Sequence, residues 1–533
     1  MNIVREILED AAKKEPDKRA FLADSKEICY GDLAPLVEEL ALRMHGLGVR
    51  RGDKVAILSP NSLDWFAIQL AVAELGATLV PLNTRFKKME LQYILKQSDA
   101  ATLFLVERGA SKAYFETLAE LIQGFEECGY NAVDSTEFPR LRHVIGGWRL
   151  TGLIDVLRSV SGAVDGSFPL SGPEDVVLMQ YTSGTTSFPK GVMLSQGQVV
   201  RNAFNLGERV GLNSEDVLFS SLPFAHVGGS VLTNLLALTH GAGILTMGRY
   251  DPKRALELIE NHRPTAVNGI DTHFIDLYTN PALDRARFPP VTKGWMVGSP
   301  EVVRHVIEDL GISRITNVYG LSEASPNVTS SLPNDPADVR CNTHGKTYPD
   351  MEVRIVDPQS GRPLPPNVSG EIIVRGYSVM EGYYNKPNET AAAIDREGWL
   401  HSGDRGFLNE DGYLVFEGRI KDVLKVGGEN VSALEVENVL LSHPNVKLAA
   451  VVGVPYRRLG EVCCAYVELR EGTDTSEDQI IKFCAQRIAS FKVPRVVRFV
   501  KAMPMTESGK IQKFKLKEDA MSSAVSAVDP KRK

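Results

Sequence analysis

Residues 181–191 read Tyr-Thr-Ser-Gly-Thr-Thr-Ser-Phe-Pro-Lys-Gly. Five Ser/Thr hydroxyls, two glycines and one lysine within eleven residues suit an anionic polyphosphate. Small residues let backbone N–H groups approach the oxygens, hydroxyls donate, and the Lys190 ammonium supplies charge. A solvated Ser/Thr/Gly connector is the plain alternative. The spacing is not that of a P-loop, which needs Gly-Lys followed by Ser or Thr to hold magnesium. Here Pro189 precedes Lys190 and Gly191 follows it, so the second glycine and the metal hydroxyl are both missing.

Three further segments carry chemistry. Asn317-Val318-Tyr319-Gly320-Leu321-Ser322-Glu323 places an aromatic beside a glycine, a flat surface for a purine. Ser322 and Glu323 follow it as hydroxyl and carboxylate for phosphate and magnesium. A helix-starting Ser-Glu cap gives the same letters. In Gly398-Trp399-Leu400-His401-Ser402-Gly403-Asp404 and Glu417-Gly418-Arg419-Ile420-Lys421-Asp422, Asp404 can accept two hydroxyls and Arg419 can donate. Gly-Asp is also an ordinary turn signal, and Lys421 reads equally as a solvated lysine. Pro504-Met505-Thr506-Glu507-Ser508-Gly509-Lys510-Ile511 sets a glycine before a lysine, so backbone and a mobile charge approach a ligand together. Lys513, Lys515 and Lys517 follow, so a basic tail competes with this reading.

These segments need a scaffold, and apolar periodicity supplies its outline. Lys54–Leu58, Leu63–Leu75, Thr78–Val80, Met89–Gln97 and Thr102–Val106 alternate strand-like and helical patterns. Val217–Ser220, Gly229–Leu238, Gly243–Met247 and Pro252–Asn261 repeat the theme, and such alternation predicts parallel α/β layers. Beyond about residue 340, short strands Val353–Val356, Glu371–Arg375 and Tyr413–Glu417 between Pro/Gly turns predict a small β-barrel. From Leu434 an α+β pattern returns. The expected fold is therefore α/β. A large N-terminal domain, residues 1–419, holds two layered α/β subdomains and the barrel. A small α+β C-terminal domain spans 420–520, and 521–533 is a flexible tail.

A chain of 533 residues exceeds a single core, and a net charge of -7 argues against nucleic acid as a general partner. Six cysteines fit no metal or disulfide spacing, which favours a reducing compartment; a cytoplasmic location follows. Trp65–Leu82, the most apolar stretch, contains Gln69, Glu74 and Gly76 and predicts helix–turn–strand rather than a membrane span, so no stable membrane insertion is expected.

All four segments occur in the order found in the acyl-adenylate-forming superfamily of acyl-CoA synthetases, adenylation domains and beetle luciferases. The chain resembles that family over roughly residues 20–515. Ser187 stands where the family has glycine in the phosphate loop, and Ser322 where it has threonine. The resemblance implies that Thr182, Ser183, Gly184, Thr185, Thr186 and Lys190 hold phosphates, and that Gly298, Ser299, Pro300, Asn317, Tyr319, Gly320 and Ser322 surround the nucleotide. It further implies Asp404 and Arg419 at the ribose, Glu323 at Mg2+, Lys510 as the catalytic lysine, and Thr182, Lys190 and Glu323 beside it in the chemistry. Lys421 becomes the hinge of a mobile C-terminal domain. His226, Val227, Gly228, Thr272 and Leu321 would line the acyl pocket, and Lys425, Gly427 and Gly428 a coenzyme A tunnel.

The implied reaction has two steps. A small carboxylic acid attacks ATP to give an acyl-adenylate and pyrophosphate, and coenzyme A then takes the acyl group and releases AMP. A stand-alone enzyme loading a separate carrier protein is the alternative, and a non-catalytic nucleotide binder is an alternative of another class. A homodimer is left open. Asp271, where relatives often have proline, and Trp295 point to a medium-chain, alicyclic or aromatic acid.

Overall fold

The computed structural model describes residues 3–23, 26–106, 112–122, 125, 129–148, 157–161, 168–182, 189–285, 288–289, 291–426, 429–456, 459–506 and 509–522. Short Val/Ile/Leu runs become buried strands, as their composition requires. Lys54–Leu58, Thr78–Leu82 and Ala100–Val106 pair in parallel, and the helix Leu63–Glu74 between the first two is buried along its length. Ser62 caps that helix by accepting from the Trp65 N–H, which satisfies one of its orphan donors. The expected helix–turn–strand is therefore present. No helix among the described residues is long and apolar enough to cross a membrane.

The large domain is mixed α/β and is built on two large sheets. One has eight strands, with Val176–Thr182 and Lys190–Ser195 near one edge. The other has nine, and its strands Val217–Ser220, Ala266–Ile270, Lys293–Val297 and Arg314–Gly320 run parallel to one another. Their carboxyl ends open on the same edge, where open α/β sheets take ligands. The small β unit is an antiparallel sheet in the order Met351–Val356, Gly370–Gly376, Leu400–Leu408, Leu414–Arg419. The segment read as helical at Gly229–Leu238 is largely a π-helix, Ser230–Leu235, between short α turns.

The small C-terminal domain is α+β. Strands Val446–Tyr456 and Gly460–Leu469 form its centre, flanked by helices Ala433–Leu441, Glu477–Ala485 and Lys513–Ser522. Cys463 and Cys464 are buried strand residues. An apolar cluster continues from Phe274 and Ile275 of the large domain into Leu448, Val452, Met503 and Leu516 of the small one. Most of the region read as a tail, residues 523–533, lies outside the described residues.

Candidate active site

The phosphate-loop segment begins and ends on two antiparallel strands, Val176–Thr182 and Lys190–Ser195. Thr182 pairs with Lys190 across the two antiparallel strands. Ser183, Gly184, Thr185, Thr186 and Ser187 lie outside the described residues. Lys190 projects its ammonium 4.0 Å from the centre of the Tyr383 ring. The Tyr383 hydroxyl in turn donates to Glu323 Oε1 at 2.9 Å. Lys190 and the carboxylate of the Tyr-Gly segment, 133 positions apart in the chain, thus meet through one aromatic side chain.

The loops that follow the parallel strands form the floor. Gly298 is gripped by Asn317, whose Oδ1 accepts from its N–H at 3.1 Å and whose Nδ2 donates to its carbonyl at 3.2 Å. Both Asp271 carboxylate oxygens accept from the Ser299 N–H, at 3.0 and 3.1 Å. Pro300 then opens a helix at its first position, where its missing N–H costs nothing. Burial pushes the Asp271 carboxyl up to about 7, against the opposing hydrogen bonds from Ser299. Gly320 sits where a Cβ would lie 2.0 Å from the Pro326 carbonyl oxygen, so only glycine allows this crossing.

Tyr319 is buried, packs against Phe416 at 5.4 Å between ring centres, and donates its hydroxyl to Asp404 Oδ2 at 2.8 Å. Asp404 does not stand in the turn that Gly-Asp suggests. It lies within the nine-residue strand Leu400–Leu408, directly opposite Arg419 on the neighbouring strand. Register pairing puts the Arg419 Nε 2.8 Å from Asp404 Oδ1. That contact lacks hydrogen-bond alignment, so the buried Oδ1 keeps accepting capacity. Burial raises the Asp404 carboxyl, opposed by Arg419, Tyr319 and Lys510.

Lys510 enters from the small domain on a closed turn. Thr506 N–H donates to the Lys510 carbonyl at 2.7 Å, and the Lys510 N–H donates back to Thr506 Oγ1 at 3.0 Å. Lys510 itself stays exposed to solvent among these neighbours. Desolvation by nearby protein and the Arg419 charge lower its proton affinity, and Asp404 and Glu323 partly restore it. His226 feels the same cation. Burial, then Lys510, depress its imidazole to about 3, so it is neutral and accepts from the Gly228 N–H at Nδ1.

The remaining predicted residues divide. Val227 is buried beside His226, and the Thr272 hydroxyl is buried without a partner near Gly509. Leu321 is half-buried against the main core. Lys421 occupies a single 3-10 turn, Ile420–Asp422, between the domains, and is exposed. Lys425 is exposed on the strand Val423–Val426. Gly427 and Gly428 lie outside the described residues. Among the described residues no three His, Cys, Asp or Glu side chains cluster as a metal cage. A single carboxylate such as Glu323 fits Mg2+, which takes its other ligands from phosphates and water. Sequence reasoning missed Tyr383, and it read Asp271 only for the acid pocket, not as the holder of the Ser299 N–H. Tyr383 sits in an unremarkable Gly-Tyr-Tyr-Asn sequence, on the short strand Gly382–Tyr383, and only its pairing with the strand that carries Lys190 reveals it.

Comparison with known proteins agrees with this geometry. The AMP-binding enzyme model matches residues 8–384, and the AMP-binding enzyme C-terminal domain model matches 435–510. YngI of Bacillus subtilis (strain 168), proposed by its name to be an acyl-CoA synthetase, is 38% identical over 96% of each chain. The medium-chain acyl-CoA ligase ACSF2, mitochondrial, of Mus musculus is 32% identical over 97% of this chain and 87% of its own. The crystal structure of the anthranilate CoA ligase AuaEII in complex with anthranoyl-AMP superposes with a TM-score of 0.84 at 26% identity, covering 97% of both chains. The chain therefore belongs to the AMP-binding enzyme family, as an adenylate-forming acyl-CoA synthetase.

Proposed function

We propose that the protein joins a medium-chain, alicyclic or aromatic carboxylic acid to AMP and then to coenzyme A, with Mg2+ at Glu323. The observation that carries this reading is the position of Lys510. A lysine of the small domain lies in the electrostatic field of Asp404, Arg419 and Glu323 of the large one. That arrangement suits the first step, in which charge grows on the phosphate oxygens and fixed cations neutralise it. Lys190 with Thr182 and the hydroxyl loop hold the outer phosphates, Asp404 and Arg419 the ribose, and the Gly298–Pro300 loop with Tyr319 the adenine. Glu323 would hold Mg2+, which would screen the charge on the phosphate oxygens. The small domain, from residue 420, then turns about Lys421 and brings Lys425 and the Gly427-Gly428 segment to the thiol.

The acid class is supported by what fills the space behind His226–Gly229. Trp295 is 2% exposed, and its indole N–H donates to the Leu232 carbonyl at 3.1 Å. Asn268 donates to the same carbonyl and to Thr233 Oγ1. A long alkyl chain would have to displace a buried tryptophan and these hydrogen bonds. ACSF2 is by name a medium-chain ligase, and AuaEII an anthranilate ligase. The free thiols among the described residues suit a cytoplasmic setting. The test is ATP–pyrophosphate exchange and AMP release with acetate, octanoate, benzoate, cyclohexanecarboxylate and palmitate. Octanoate or a ring acid should turn over fastest. Fastest turnover of palmitate overturns the acid class, and no exchange with any acid overturns the adenylation reading.

A further inference from the structure

The two domains enclose a cavity of about 440 Å³ beside the nucleotide cleft. Its wall contains a charged bridge that the reaction scheme above does not use. Lys447, on the small domain's strand Val446–Tyr456, places its Nζ 3.5 Å from Asp276 Oδ1 on the large domain's helix Asp271–Tyr278. The same ammonium is 3.2 Å from Glu468 Oε1 on the adjoining strand. Asp276 is anchored separately, because the Tyr250 hydroxyl donates to its Oδ2 at 3.2 Å. Glu468 reaches on toward the catalytic lysine, since its Oε2 accepts from the Met503 N–H at 2.8 Å. Met503 begins the loop that ends in the Thr506–Lys510 turn.

The Asp276 and Glu468 carboxylates are largely buried, at 21% and 11% side-chain exposure, and Lys447 is a third exposed. A buried carboxylate that loses its only cation is strongly penalised. The apolar cluster beside the bridge, which includes Ile275 and Leu448, is held by non-directional packing that tolerates sliding. The bridge has one geometry. Resting on the adenylate-forming reaction proposed above, we propose that Lys447 is a positioning residue: by tying Asp276 to Glu468 beneath the Met503–Lys510 loop, it holds Lys510 in the nucleotide cleft for the first half-reaction.

The helix that carries Asp276 starts with Asp271, which holds the Ser299 N–H of the adenine-side loop. One rigid helix therefore sets both the nucleotide loop and the anchor of the lysine loop. The bridge is made across the domain boundary, so rotation of the small domain breaks it. It favours the adenylating arrangement and contributes nothing to the thioester-forming one.

The full-length enzyme tests this with two half-reactions measured separately. One is ATP–pyrophosphate exchange with octanoate, and the other is octanoyl-CoA formation from supplied octanoyl-adenylate. Lys447→Met keeps most of the aliphatic stem and removes the charge. It should slow exchange roughly fivefold or more, with thioester formation equal to the parent or faster. Asp276→Asn should split the two steps in the same direction, and Lys447→Arg should restore exchange. With ATP bound and no acid added, amide hydrogen exchange at residues 503–506 should rise in Lys447→Met and not in Lys447→Arg. Equal slowing of both half-reactions, or unchanged exchange together with unchanged amide protection, overturns the assignment while leaving adenylation intact. A parent enzyme that exchanges no pyrophosphate with any acid overturns the reaction on which the assignment rests.

Discussion

Gly509→Ala is the sharpest probe of how the lysine loop docks. Gly509 has a φ of +74°, and a Cβ there would lie 2.5 Å from Ile270 Cδ1 and 2.8 Å from Thr272 Oγ1. The two penalties act differently. The left-handed backbone costs an alanine about 1 kcal/mol relative to glycine wherever the loop keeps this turn, so it weighs on both arrangements of the small domain. The contact with Ile270 and Thr272 exists only when the loop is seated on the large domain. Overpacking costs about 1–3 kcal/mol, and both offending atoms are side-chain ends that can give way, so the lower half of that range applies. A penalty of about 1–2 kcal/mol is roughly 5- to 30-fold in the population of the adenylating arrangement. Pyrophosphate exchange should fall by that factor, with thioester formation from supplied acyl-adenylate nearly unchanged. Ile270→Ala added to Gly509→Ala should recover part of the loss by vacating the space. Equal loss in both half-reactions, or no recovery in the double variant, would mean that the backbone strain alone matters and the seat on Ile270 does not.

Three further outcomes follow from the site. Lys510→Ala removes one preorganised cation and should cut adenylation at least about a hundredfold, sparing thioester formation from supplied adenylate; quenched-flow measurement of both steps checks it. Lys421→Pro fixes one backbone angle at the domain junction and should spare pyrophosphate exchange but block thioester formation, read in the same assays. Asp271 predicts a pH dependence of stability. Its carboxyl is raised in the folded protein to about 7 from an ordinary value near 3.8, so the unfolded chain releases this proton first. Stability is greatest below the unfolded value and is lost as pH rises through the window from about 4 to 7. Asp271→Asn retains an acceptor for the Ser299 N–H and avoids burying charge. It should stabilise the fold at pH 8 by on the order of 2–4 kcal/mol and much less at pH 4, in denaturant titrations.

The chemistry of the site was legible in the sequence wherever one short segment carries both the reactive group and the glycine that lets it approach. Tyr319-Gly320, Gly298-Ser299 and Gly509-Lys510 are of this kind, and each glycine meets a neighbour too close for a Cβ. Strand periods were equally readable, as Lys54–Leu58 and Val217–Ser220 show. Asp404 was harder. Gly403-Asp404 spells a turn locally, but Gly403 with a φ of +67° kinks a continuous strand, and the pairing with Arg419 overrides local preference. Tyr383 and the Lys447–Asp276 bridge were invisible, because each is created by packing between segments far apart in the chain. Nothing in Gly-Tyr-Tyr-Asn or in Val-Lys-Leu distinguishes such residues until their partners are known.

Charge balance links the site to the two-step reaction. Lys190, Arg419 and Lys510 face Asp404 and Glu323, three cations against two carboxylates, in a chain whose total charge is -7. The local surplus governs which ligand is drawn in. Asp404 is matched by Arg419, and Glu323 by the Tyr383 hydroxyl beside Lys190, so the surplus is supplied by Lys510, the one member of the set that belongs to the small domain. When the small domain turns as proposed, that cation leaves and the balance falls to zero. On that proposal pyrophosphate loses one of the cations near it and keeps Lys190, while the adenylate, whose phosphate carries a single negative charge, keeps the proposed ribose contacts to Asp404 and Arg419. The same rotation that admits the thiol therefore favours release of the first product, and the order of the two half-reactions follows from which domain carries the lysine.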